Sequence, residues 1–158
     1  MQTQPDFVKP SSKILRVPFV PSSENSINTM LEIANLKPGE KMADLGSGDG
    51  RVILAFAENG AIAYGYEIDG ALVIKAETRI YDEGLDQRAF IHWADYWEED
   101  LSEYDIVTIF GISYIMEELG EKLKKELKPG AKVISNVFTF PNWKPKQIIN
   151  NIHLYIVP

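Results

Sequence analysis

The chain contains no cysteine, which excludes disulfides and thiolate-held metals. Only His92 and His153 offer an imidazole, so no zinc site is expected and no metal ligands are assigned. No stretch reaches the roughly 18 consecutive apolar residues of a membrane-spanning helix. The polar stretch 1–12, interrupted by Pro5 and Pro10, lacks the apolar centre of a signal peptide. A cytoplasmic chain without a membrane segment is therefore expected. Positive charge is scarce as well: 16 Lys and Arg face 23 Asp and Glu, for a formal net charge of −7. Phosphate backbones select basic footprints, so no nucleic-acid partner is expected. What is present, 158 residues of which 45% are hydrophobic, suffices for one domain with a real core.

Apolar runs alternate with helical periodicity along most of the chain. The pattern predicts a helix capped by Ser22 or Ser23 with Ile27, Met30, Leu31 and Ala34 on one face. A strand at about Lys41–Leu45, a helix from about Gly50 to Asn59 and a strand over Ala61–Glu67 follow. A helix capped by Asp69 runs from Gly70 to about Glu83, and a third strand covers about Ala89–Trp93. Tyr104–Phe110 reads as a strand buried on both faces. Ile112–Leu127 is a helix by its apolar period, and Lys132–Val137 is a fifth strand. Two Leu-Lys-Pro-Gly turns, at Leu36 and Leu127, both serve helix exit and strand entry, with no domain repeat implied. After Val137 there is no room for a long crossover helix. Gln147–Ile149 and Ile152–Val157 instead flank Asn150-Asn151, residues that tolerate the left-handed dihedrals of a hairpin turn. The expectation is an α/β domain with a mostly parallel sheet, helices on both faces and a C-terminal antiparallel hairpin.

The most informative stretch is Met42–Arg51, Met-Ala-Asp-Leu-Gly-Ser-Gly-Asp-Gly-Arg. It has the form of a strand, a glycine turn and a helix start, and Glu67 closes the next strand 21 positions after Gly46. That arrangement describes a site for an adenosine-containing cofactor. Gly46 and Gly48 fit the dinucleotide fingerprint, but Arg51 occupies the third glycine position. Asp44 and Asp49 would repel a pyrophosphate where backbone N–H groups should cradle it. S-adenosylmethionine carries no phosphate; its sulfonium and ammonium are cationic. The candidate loop residues are Asp44, Gly46, Ser47 and Gly48, and Glu67 is placed to accept from the ribose hydroxyls. The alternative is a plain βα turn with Asp49 as a helix N-cap.

In an open α/β sheet the ligand lies over the carboxyl ends of the strands. Asp95, just past the third strand, is placed to accept from the adenine amine. The Ala94 N–H faces a ring nitrogen and Ile68 packs on the adenine face. The alternative for Asp95 is a cap on the turn into Tyr96-Trp97. Phe110 and Gly111 end the fourth strand, where a methyl acceptor belongs; Phe110 is wall or plain core. The chain lacks the Asn/Asp-Pro-Pro-aromatic segment found at that point in amide- and base-directed N-methyltransferases.

Five parallel strands closed by a reversed hairpin resemble the class I methyltransferases. More specifically, the chain resembles a protein-lysine methyltransferase family. That family includes the enzymes acting on the adenine nucleotide translocase and the ATP synthase c-subunit, with small prokaryotic relatives. The resemblance rests on Val17-Pro-Phe-Val-Pro-Ser22, Asp44-Leu-Gly-Ser-Gly-Asp-Gly-Arg51, Val107-Thr-Ile-Phe-Gly111, Glu121–Ala131 and Phe138-Thr-Phe-Pro-Asn-Trp-Lys-Pro145. It implies an N-terminal arm and pre-domain segment over 1–22 and a single methyltransferase domain over 23–158. It also implies a lysine-presenting protein as partner, with broad specificity open. The mitochondrial members' hydrophobic N-terminal segment has no counterpart here, which favours a prokaryotic type. Phe19 and Pro21 are placed over the cofactor, or serve as a packing strap on the first helix. Phe19, Phe110 and Trp143 are channel candidates for the acceptor, Trp143 reading equally as cover for the core edge. No residue is assigned as a general base. The alternatives are a class I methyltransferase of a small-molecule acceptor and a non-catalytic cofactor-binding protein.

Overall fold

A computed structural model of the chain describes residues 20–158. The strands β1 (Lys41–Leu45), β2 (Ile62–Glu67), β3 (Ala89–Trp93), β4 (Ile106–Ile109), β5 (Lys132–Asn136), β6 (Gln147–Ile149) and β7 (Ile152–Ile156) form one sheet in the order β3-β2-β1-β4-β5-β7-β6. β1 to β5 are parallel, and β7 runs antiparallel between β5 and β6. The hairpin turn places Asn150 and Asn151 at φ 48 and 64, the left-handed region Asn tolerates best among non-glycines. The order reverses at β1/β4, so a crevice opens over the carboxyl ends of those strands.

Four α-helices flank the sheet: α1 (Glu24–Ala34), α2 (Arg51–Glu58), α3 (Gly70–Asp82) and α4 (Met116–Glu126). α1 starts where Ser23 accepts from the Ser26 N–H, and α3 where Asp69 accepts from the Ala71 N–H. Both remove an orphan donor of a first turn. The strand period of two divides the core. Met42, Ala63, Ile106 and Ile134 meet α1, α2 and the end of α3 on one side. Ala43, Leu45, Val107 and Val133 meet Met116, Leu119 and Leu123 of α4 on the other.

Helix Ile112–Leu127 of the sequence reading starts later than expected. Ile112 is extended (φ −137, ψ 157), Ser113–Ile115 form a single 3₁₀ turn, and α4 begins only at Met116. Gly111 precedes this junction and packs closely on it, since a Cβ there would stand 3.0 Å from the Met116 sulfur. The fourth strand is also shorter, Tyr104 lying outside it with its hydroxyl bonded to that of Tyr66. Residues 1–19 of the expected arm, with the segment Val17–Phe19 and the Phe19 assignments, lie outside the described residues.

Candidate active site

A cavity opens at the carboxyl ends of β1, β2 and β4. Pro21, Asp44, Gly46 and Ser47 line it, as do Glu67, Ile68, Ala94 and Phe110. The topology thus brings together most of the residues marked in the sequence. Gly48, Asp95 and Trp143 are not among the lining residues, and each has another task.

The Gly48 N–H donates to Glu67 Oε1 at 2.8 Å, and the Asp69 N–H to Glu67 Oε2 at 2.9 Å. Glu67 therefore ties the glycine loop to the end of β2 while still facing the cavity, and a carboxylate retains further lone pairs for ribose hydroxyls. Burial raises its pKa above the ordinary range, opposed by these backbone bonds. Asp95 is buried and caps the 3₁₀ turn Tyr96–Glu98, accepting from the Trp97 N–H at 3.0 Å. The capping reading is what the structure displays, while its neighbours Ala94 and Tyr96 line the cavity; the Ala94 N–H, expected at an adenine nitrogen, donates instead to the Glu67 carbonyl at 3.0 Å, because it continues the β2–β3 ladder. Trp143 lies elsewhere. It packs on Phe140 and Tyr155, its indole N–H donates to the Ile156 carbonyl, and Lys124 sits 5.5 Å over its ring. It covers the core edge at β7, because the antiparallel hairpin carries segment 138–145 across the α4 side of the sheet.

Asp44 is strongly perturbed. It is buried, accepts from the Thr108 hydroxyl at 2.7 Å, and has its pKa pushed from 3.8 up to about 7. Desolvation drives the rise, the Thr108 bond opposes it and the charge of Glu67 adds to it. Thr108 was legible as an anomaly, a polar residue inside the apolar run of β4; a buried hydroxyl requires a partner. Tyr66 and Tyr96, also unmarked in the sequence reading, line the cavity too. Burial raises the pKa of both phenols, so they stay neutral near pH 7.

Asp49 is not at the N-cap position of α2, although its Oδ1 accepts from the Arg51 N–H at 3.4 Å, and it does not stand free for a cationic ligand. Gly50, at φ 86, is the N-cap and makes no side-chain cap bond. Asp49 Oδ2 instead lies 2.7 Å from Arg51 Nη2 and 3.1 Å from Arg79 Nη1. The Arg51 hydrogen bonds hold the Asp49 carboxyl below the usual range. Thus fixed, Arg51 reaches back with Nη1 to the Ser22 carbonyl at 3.3 Å, and Asn136 Nδ2 donates to the Ser22 hydroxyl at 3.2 Å. The residue in place of the third glycine is a latch on segment 20–22, which closes one wall of the cavity.

The donor set fits S-adenosylmethionine. Asp44 can set negative charge against its cationic centres, Glu67 has lone pairs for its ribose hydroxyls, and Ile68 and Ala94 can offer apolar surface to its adenine. The buried Ser47 hydroxyl, with no hydrogen-bond partner in the protein, offers a donor. No group of three or more His, Cys, Asp or Glu among the described residues is arranged to hold a metal, and no helix among them is long and apolar enough to cross a membrane.

Sheet order, the acidic glycine loop and the carboxylate at the end of β2 define a class I S-adenosylmethionine-dependent methyltransferase. A solved structure of an RNA methyltransferase from Salinibacter ruber with S-adenosyl-L-homocysteine superposes with a TM-score of 0.85 at 30% identity, over 88% of this chain and 94% of that one. The chain belongs to the family described as the ANTKMT methyltransferase domain, whose model matches residues 44–147. It is 36% identical over 156 residues to a protein-lysine N-methyltransferase of Saccharolobus islandicus, covering 92% of this chain and 97% of that protein. It is also 36% identical over 142 residues to the human lysine N-methyltransferase of the ATP synthase c-subunit. That match covers 90% of this chain but only 60% of the human protein's length.

Proposed function

We propose that this chain transfers a methyl group from S-adenosylmethionine to lysine side-chain amines of protein substrates. The observation that carries the reading is the match to the archaeal protein-lysine methyltransferase over nearly the whole of both chains. The site supports it. Beyond the glycine loop the cavity wall is Phe110, Gly111, Ile115 and Tyr96, apolar or neutral groups suited to a desolvated amine rather than a charged acceptor.

When bound, the cofactor supplies a methyl carbon made electrophilic by its sulfonium. The protein's task is to align a neutral nucleophile with it. A lysine amine in water has a pKa of about 10.4 and is inert as ammonium near pH 7. Passage along Phe110 and Tyr96 lowers that pKa by desolvation, and water takes the proton before attack. Alignment of the amine roughly 3 Å from the methyl supplies much of the rate. No side chain is assigned as general base.

A second reading follows from the similarity to the Salinibacter RNA methyltransferase, namely transfer to RNA. The formal charge of −7 weighs against it, because RNA binding draws on phosphate neutralisation. The test is incubation with radiolabelled S-adenosylmethionine and a cell extract separated into protein, RNA and small-molecule fractions. Label on lysine in the protein fraction supports the proposal. Label confined to RNA supports the second reading, label only in small molecules supports a small acceptor, and no label anywhere indicates a non-catalytic binder.

A further inference from the structure

The connection from β3 to β4 contains no α-helix, only the 3₁₀ turn Tyr96–Glu98. A parallel crossover ordinarily brings a helix back over the sheet. Here the α4 side of β2 and edge strand β3 is left without one.

The side chains on that open face are aromatic. Phe90 and His92 of β3 are exposed and Tyr64 of β2 is half-buried. The Tyr64 ring stacks on Phe90 at 5.3 Å and on His92 at 6.0 Å, and His92 stacks on Tyr66 at 5.3 Å. Tyr104 closes the row against Tyr64 and Tyr66. Tyr66 also lines the cofactor cavity, so the row runs from solvent to the active site. With Phe90 exposed at its outer end, it presents apolar area on which the aliphatic stems of long cationic side chains pack.

The electrostatics around the row are negative. Glu98, Glu99, Asp100 and Glu103 fall within six consecutive positions. The charges of Glu99 and Glu103 help to raise the Tyr66 pKa, after burial. Arg88, two positions before Phe90, is an exposed cation, and two further cations are paired. Lys122 donates to the Glu99 carbonyl and to Glu126 at 2.8 and 2.7 Å. Lys41 lies 3.9 Å from Glu103 in an exposed pair, which screening makes weak.

We infer that this aromatic, acid-rimmed face of β2 and β3 docks a basic segment of the protein substrate, delivering the neighbouring lysine to the cavity past Tyr66. The inference rests on the protein-lysine reading. Aromatic anchors beside complementary charge are the composition of a specific interface, with the charges acting mainly on encounter and partner choice.

The test is a binding measurement that requires no methyl transfer, so it stands apart from the outcome for the acceptor. Fluorescein-labelled oligolysine is titrated against the wild type, Glu103→Lys, Phe90→Ser and the control Glu77→Lys, which makes the same charge change on exposed α3. The expected result is a polarisation Kd weakened ~10-fold by Glu103→Lys and ~3-fold by Phe90→Ser, with the control within about twofold. S-adenosylmethionine affinity remains unchanged in all. An unchanged Kd in Glu103→Lys and Phe90→Ser overturns the inference. Equal weakening by Glu77→Lys also does, because net charge alone then explains binding. So does a sedimentation shift from dimer to monomer in Phe90→Ser without a change in Kd, because a second copy is then the occupant.

Discussion

The guanidinium of Arg51 stands 2.7 Å from Asp49 and 3.3 Å from the carbonyl of Ser22, joining the glycine loop to the segment that walls the cavity. The hydrogen bond from Asn136 to the Ser22 hydroxyl fixes the same residue from β5. Both ends of the cofactor site thereby hold one short strap.

Loosening that strap is expected to weaken the cofactor more than the fold. Arg51→Ala or Asn136→Ala removes one polar contact to Ser22, worth about 0.5–1.5 kcal/mol net, or more where a charged donor is involved. Calorimetry is expected to show S-adenosylmethionine affinity down ~10-fold in either variant, with far-UV circular dichroism unchanged. Affinity within twofold of wild type in both variants would remove the strap's role.

Asp44 is expected to make cofactor binding pH-dependent. Its folded pKa of about 7 lies above the ordinary 3.8, so between those values the folded chain holds a proton that the unfolded chain has lost. Stability from this group is therefore present at low pH and falls as pH rises from about 4 to about 7. Binding a cationic ligand has the opposite sign, because it favours the carboxylate and expels the proton. Affinity for S-adenosylmethionine is expected to strengthen as pH rises through about 7 and to level off above it. In Asp44→Asn the affinity is weak and flat with pH. Calorimetry in buffers of different ionisation enthalpy counts the released proton.

Gly65 is required by its neighbour across the β1–β2 boundary. A Cβ there would meet the Ser47 Oγ at 2.5 Å and the Ser47 Cβ at 2.7 Å, closer than real contacts come. Gly65→Ala is expected to displace the glycine loop and abolish measurable cofactor binding, at an overpacking cost of about 1–3 kcal/mol. The double variant Gly65→Ala/Ser47→Gly is expected to regain part of the affinity. Thermal melts and calorimetry on the pair check this.

Trp143 belongs to the core edge. Trp143→Phe is expected to lower the melting temperature while leaving KM for S-adenosylmethionine and kcat within about twofold, since it forfeits the Ile156 hydrogen bond and some packing area. A large fall in kcat without destabilisation would return Trp143 to the acceptor channel.

The elements most legible in the sequence are those set by near neighbours. β1, β3, the start of α3 and the Asn150-Asn151 hairpin fall where period, caps and turn residues put them, because a cap or a left-handed asparagine acts within a few positions. The loop's meaning was legible in part. Its acids argued against a pyrophosphate, yet Asp49 proved to be spent on Arg51 and Arg79, the latter arriving from α3. Asp95 lay where expected along the chain, and there its Oδ1 accepts from the Trp97 N–H of the next turn.

The succession of strands and helices along the chain, the reversed hairpin and the acidic glycine loop were determined by the sequence itself. Each is a local pattern of apolar spacing, glycine and carboxylate, and together they select the fold and S-adenosylmethionine. What each polar side chain does was decided by tertiary structure. Thr108 meets Asp44 across 64 positions and Asn136 meets Ser22 across 114. No periodicity specifies such pairs. They exist because the sheet brings distant strand ends into one crevice, where a buried polar group must take whichever partner packing supplies.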